Sequence, residues 1–151
     1  MKQSIIYETH IETKNLTKAI IFYQELGLHL AHVIPERKVA FFWIGDATKK
    51  EQMLGVWETP EETFRPSHFA FGISYENLLQ VPTFLAEIGI ELTPSFGLDT
   101  SEPVVHTWMP AACYYFSDPD GNSLEYISLL KQEANDRLPV MHLSKWLEIN
   151  E

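Results

Sequence analysis

A chain that carries one pattern twice is constrained to build one unit twice, and this sequence does so. Residues 7–33, YETHIETKNLTKAIIFYQELGLHLAHV, and residues 67–93, SHFAFGISYENLLQVPTFLAEIGIELT, each open on a segment with an early histidine, and each carries an apolar-Gly-apolar triplet. In the first, the spacing predicts a strand over 7–13 and a helix capped by Asn15. Leu16, Ala19, Ile20 and Tyr23 share its apolar stripe, and Gly27 stops it. In the second it predicts a strand over 67–73. Pro82 forbids a continuous helix there, so a short turn precedes a helix that starts near Val81 and ends at Gly89. Paired strand segments follow in both halves, RKVAFFWIGD with EQMLGVWET and MPAACYYFSDPDG with NSLEYISLL. The plan is β-α-β-β-β, twice, and the proline- and charge-rich TPEETFRP at 59–66 joins the copies.

The 151 residues suffice for one domain with a real core, or for two small modules sharing one. A net charge of −10 and only Arg37, Arg65 and Arg137 as arginines leave no surface for tracking phosphates, which excludes nucleic acid and disfavours anionic membranes. The sequence has no apolar run long enough to span a bilayer and no basic-then-apolar leader, so a cytoplasmic protein is expected. The one cysteine, Cys113, excludes an internal disulfide and reads as a small core residue.

One residue disturbs the second copy. After the turn signal Asp118-Pro119-Asp120-Gly121, the strand from Ser123 to Leu130 alternates so that Glu125 faces an enclosed space. A buried carboxylate without a partner costs several kcal/mol. A cation, a set of hydrogen bonds or an exposed position must offset it.

The doubled plan, the histidine early in the first strand of each half and the motif DPDGNSLEYI together resemble the vicinal oxygen chelate superfamily, which includes glyoxalase I, extradiol dioxygenases, fosfomycin-resistance and bleomycin-binding proteins. The resemblance covers residues 4–130. It implies an α+β glyoxalase-like fold, in which paired modules at about 4–58 and 66–130 form an open half-barrel cavity in a single domain, 1–132. Residues 133–151 are expected as a C-terminal extension with a short helix around Ser144–Ile149. The family places metal ligands at His10, His68 and Glu125, a set that suits a divalent ion such as Zn²⁺, Mn²⁺, Fe²⁺, Ni²⁺ or Co²⁺ and leaves sites open for substrate. The implied activity is Lewis-acid lyase, isomerase or dioxygenase-like chemistry on a small molecule with neighbouring oxygens, in a homodimer. The alternative is a metal-free protein that sequesters a small molecule.

Glu12, two residues past His10 and on the same face, is the candidate general base. Trp57, Phe42, Tyr115 and His106 are the expected pocket residues, His106 from a loop-like stretch at the cavity mouth. Where glyoxalase I carries a fourth ligand, the repeat places Gly55. Glu58, three residues on, falls on the opposite strand face unless the glycine marks a bulge.

Overall fold

The computed structural model describes residues 3–151 and divides into two compact units. One comprises the chain through Ser67 together with Asp118–Asn122; the other comprises His68–Ser117 and Ser123–Glu151.

The first unit runs β1 (Glu8–Thr13), α1 (Leu16–Glu25), β2 (His29–Ile34), β3 (Val39–Ile44) and β4 (Gln52–Glu58), with sheet order β1-β4-β3-β2 and β1 parallel to β4. Asn15 caps α1 by accepting from the Lys18 amide at 3.0 Å. At the other end Gly27, at φ +97°, lets the Leu28 amide turn back to the Tyr23 carbonyl and its own amide reach Gln24. That pattern satisfies carbonyls the helix leaves open, and the apolar residue after the glycine folds back over it. Strand alternation then sorts the faces: Ile11, Phe42, Leu54 and Val56 are buried together with Ala19, Phe22 and Tyr23 of α1. His10, Glu12, Phe41, Gly55 and Trp57 take the other face.

The second unit contains β5 (His68–Gly72), α2 (Tyr75–Leu78), α3 (Val81–Glu87), β6 (Leu92–Thr93), β7 (Val104–His106), β8 (Ala111–Ser117), β9 (Ser123–Leu129), β10 (Met141–His142) and α4 (Leu143–Glu148). Its strands order as β10-β7-β8-β9-β5, with β6 also on β8, and β5 runs parallel to β9. Gly89 ends α3 as Gly27 ends α1: the Ile90 amide returns to Leu85 and the glycine's own amide to Ala86. The two apolar-Gly-apolar triplets are therefore one device used twice. Residues 133–151, read from sequence as an extension, supply β10 and α4 to this unit, and Trp146 is fully buried there. Ser144 fixes the helix start by donating its amide and hydroxyl to Glu102.

The DPDGN turn belongs by its contacts to the first unit. Asp118, buried, accepts from the Tyr23 hydroxyl at 2.8 Å, from the Asn122 side chain at 2.7 Å, and from the Asn122 and Asp120 amides. Asn122 donates in turn to the Glu12 carbonyl and accepts from the Ser67 amide, while Asp120 accepts from the Thr13 hydroxyl. Burial, and then the Asp118 charge, push the Tyr23 hydroxyl's pKa far above its ordinary value, so it stays a donor. No helix among the described residues is long and apolar enough to cross a membrane.

Candidate functional site

The histidines on the first strand of each unit have opposite hydrogen-bonding states. In the first unit His10 pairs with Gly55 across β1 and β4, and Gly55 pairs with Phe41 on β3, so the imidazole lies over the glycine. A Cβ at Gly55 would stand 2.7 Å from His10 Nδ1 and 3.2 Å from the Phe41 ring, closer than packed atoms tolerate. The glycine makes room for the ring. Trp57 Nε1 donates to His10 Nδ1 at 2.7 Å, and because an indole N–H is only a donor, Nδ1 is the acceptor. The neutral ring then carries its proton on Nε2, which lies 3.4 Å from the Glu8 carboxylate. Arg37 stacks over the Trp57 ring at 4.8 Å and holds the indole in place.

In the second unit His68 Nδ1 lies 3.0 Å from the Ser123 carbonyl oxygen, which only accepts, so Nδ1 carries the proton. Nε2 lies 3.3 Å from Glu125 Oε2. Glu125 is buried, as its alternation predicts, and its other oxygen, Oε1, has no hydrogen-bond partner among the described residues. An imidazole nitrogen and a buried carboxylate face each other here, with a further carboxylate oxygen unpaired. A cation relieves that arrangement, and the donor set of imidazole and carboxylate fits a divalent metal.

The same sheet face carries more. Thr93, Tyr115, Glu125 and Ala70 form one cross-strand row over β6, β8, β9 and β5. His106 Nε2 meets the Tyr115 hydroxyl at 2.7 Å. His106 was expected in a loop; it lies on β7, half-buried, paired opposite Ala111. Cys113 is fully buried, and one ligand atom each from His106, Cys113 and Glu125 lie within 4.8 Å of one another. Burial, and then the Glu125 charge, push the Cys113 thiol's pKa up; burial, and then Cys113 and Glu125, do the same to the Tyr115 hydroxyl. Both stay protonated in the metal-free chain, and a metal that binds Cys113 displaces its proton.

Of the expected pocket residues, Trp57 lines an open hollow in the first unit with His10, Glu12, Thr59, Arg65 and Ser67. Glu12 accepts from the Arg65 amide at 2.7 Å, which anchors the carboxylate at the hollow's edge. Phe42 is a correction: it is fully buried against Tyr23 behind the sheet, and Phe41 takes the open face beside His10. Three adjacent aromatics, Phe41 to Trp43, gave no alternation from which to choose the face. Pairing runs without a shift through Gly55 on both sides of β4, so no bulge reorients Glu58. Glu58 accepts from the Leu16 amide at 2.9 Å and lies 3.5 Å from Lys38 Nζ; it serves the start of α1.

The profile of the Glyoxalase/Bleomycin resistance protein/Dioxygenase superfamily matches residues 6–126. No curated protein matches the chain in sequence. Among solved structures, an integron cassette protein from the mobile metagenome of the Halifax Harbour sewage outfall aligns with a TM-score of 0.72 and 26% identity, over 83% of this chain and 99% of that one. A lactoylglutathione lyase from Agrobacterium tumefaciens gives 0.64 and 22%, over 85% and 96%. A fosfomycin resistance protein from Listeria monocytogenes, solved with Mn(II) and sulfate, gives 0.60 and 20%, over 87% and 94%. The last two likenesses are of fold. With the profile spanning most of its length, the chain belongs to the Glyoxalase/Bleomycin resistance protein/Dioxygenase superfamily.

Proposed function

We propose that the protein is a metal-dependent enzyme of this superfamily, acting on a small molecule through two neighbouring oxygens, with His10, His68 and Glu125 holding a divalent ion. The observation that carries this reading is the His68–Glu125 pair: an imidazole whose Nδ1 is fixed by a backbone carbonyl aims Nε2 at a buried carboxylate. A pure binding protein gains nothing from burying Glu125 against an imidazole. When bound, the ion would supply Lewis acidity to vicinal oxygens.

The chain's own residues do the rest. Ser123 orients His68, and Gly55 leaves room for the His10 ring. Phe41 and Trp57 give the first unit's face an apolar wall. Glu12, anchored by the Arg65 amide, is the proposed base, with one oxygen committed to that amide and the other left to take a proton. With Gly55 in place of a carboxylate, and Glu58 bound elsewhere, isomerisation of a glutathione hemithioacetal is not the reaction. The same reading takes the working form as a cytoplasmic homodimer, and sedimentation should report about twice the 17.4 kDa chain mass.

Metal analysis of protein purified without added metal or chelator, followed by equilibrium dialysis against Zn²⁺, Mn²⁺ and Ni²⁺, tests the proposal. One tightly held ion per chain is the expected result. A chain that neither retains nor binds any of the three would be the metal-free sequestering protein instead.

A further inference from the structure

We propose that His106, Cys113 and Glu125 form a second metal position, lying wholly within the second unit and selective for thiophilic ions. It shares Glu125 with the site above and needs neither His10 nor His68.

Three adjacent strands build it. On β8, Cys113 pairs with Val104 of β7 and Ile127 of β9; His106 stands two residues along β7 in one direction and Glu125 two along β9 in the other. Residues two apart on a strand share a face, so imidazole, thiol and carboxylate all rise from the same side of the sheet, with the cysteine between the other two. One ligand atom from each lies within 4.8 Å of the others, a spread that a single ion closes with small side-chain rotations. The Tyr115 hydroxyl, 2.7 Å from His106 Nε2, keeps the ring over this face and places a fourth polar atom, an oxygen, at the rim.

The second observation is the orphaned carboxylate oxygen. Glu125 is 4% exposed, yet Oε1 meets no donor among the described residues. The His68 contact is made by Oε2 and leaves Oε1 unaccounted for. The Cys113 thiol lies 3.6 Å from the Val104 carbonyl and is close enough to Tyr115 and Glu125 to interact with both. A set of one nitrogen, one sulfur and one carboxylate oxygen favours Zn²⁺ or Co²⁺ over Mg²⁺ or Ca²⁺, which take oxygen ligands.

Because Cys113 is the chain's one cysteine, a thiolate-to-metal charge-transfer band can come from nowhere else. Co²⁺ titration of the whole protein, followed by near-ultraviolet absorption, should raise that band to the amplitude of one thiolate-bound ion per chain. Cys113→Ser should abolish it with far-ultraviolet circular dichroism unchanged. His106→Gln, which leaves the buried thiol in place, should shift the midpoint to higher Co²⁺ by at least tenfold, in the range that weakened ligand shells cost. His10→Ala should leave the band intact while weakening the first site, so failure of one assignment is separable from failure of the other. No band in the wild type at saturating Co²⁺, a midpoint indifferent to His106→Gln, or loss of the band in His10→Ala would each overturn the proposal.

Discussion

The sheet faces around His10 and His68 each carry a histidine on the first strand of a unit, yet their chemistry differs. His10 is saturated: an indole donates to one nitrogen, a carboxylate faces the other, and an arginine stacks on the indole. His68 has one nitrogen satisfied by backbone and aims the other at a buried carboxylate. Register contributes to the difference. His10 pairs with Gly55 directly, whereas His68 pairs with Ser123, and Glu125 sits two residues further along, opposite Ala70. With Gly55 matched to Glu125, the pairing matches His68 to Glu8, two residues before His10, so the two histidines stand at different places along their strands. The lesson is that ligand readiness is set by which ring nitrogen carries the proton, and that depends on neighbours across strands.

The largest effect concerns what closes the second unit. Trp146→Ala removes a fully buried indole from α4 and should cost about 3–5 kcal/mol of unfolding free energy in denaturant titration. A cost near zero would mean that the tail is dispensable there. Next, His68→Ala should weaken Zn²⁺ binding at least about 100-fold, the upper end of what even outer-shell changes cost, and His10→Ala less. Equal losses in isothermal titration would erase the asymmetry. Gly55→Ala pushes a methyl into the His10 ring and should destabilise the fold by about 1–3 kcal/mol while changing Trp57 fluorescence. Trp57→Phe should have the smallest effect. For His10 to ligate through Nε2, its Nδ1 must carry the proton and the indole must let go, so losing that bond, worth about 1 kcal/mol, should strengthen Zn²⁺ binding about fivefold.

Much of this is legible in the amino-acid sequence. Asn15, Gly27 and Gly89 announce their caps because a helix end needs a side-chain acceptor at its start and a left-handed residue at its stop. Glu125 stood out because alternation along one strand is a local rule. What escaped depended on pairing between distant segments. Val104–His106 is too short to read as a strand, and takes its order from β8 and from a tail strand more than 30 residues away. Once that strand was missed, His106 read as a loop residue and Cys113 as plain core, although the sheet brings both to Glu125. Phe41 and Phe42 differ only in the face that cross-strand pairing assigns them.

The central claim is that His68 is prepared for a metal and His10 is not. Nitrogen-15 NMR of the histidine rings in the metal-free protein, followed through addition of Zn²⁺, tests it most directly. The account predicts His68 protonated on Nδ1 with a bare Nε2 that shifts as Zn²⁺ binds. It predicts His10 protonated on Nε2, exchanging that tautomer only as the Trp57 indole proton signal moves. A metal-free His10 already protonated on Nδ1, with both rings responding to Zn²⁺ together and the indole signal unchanged, would contradict it.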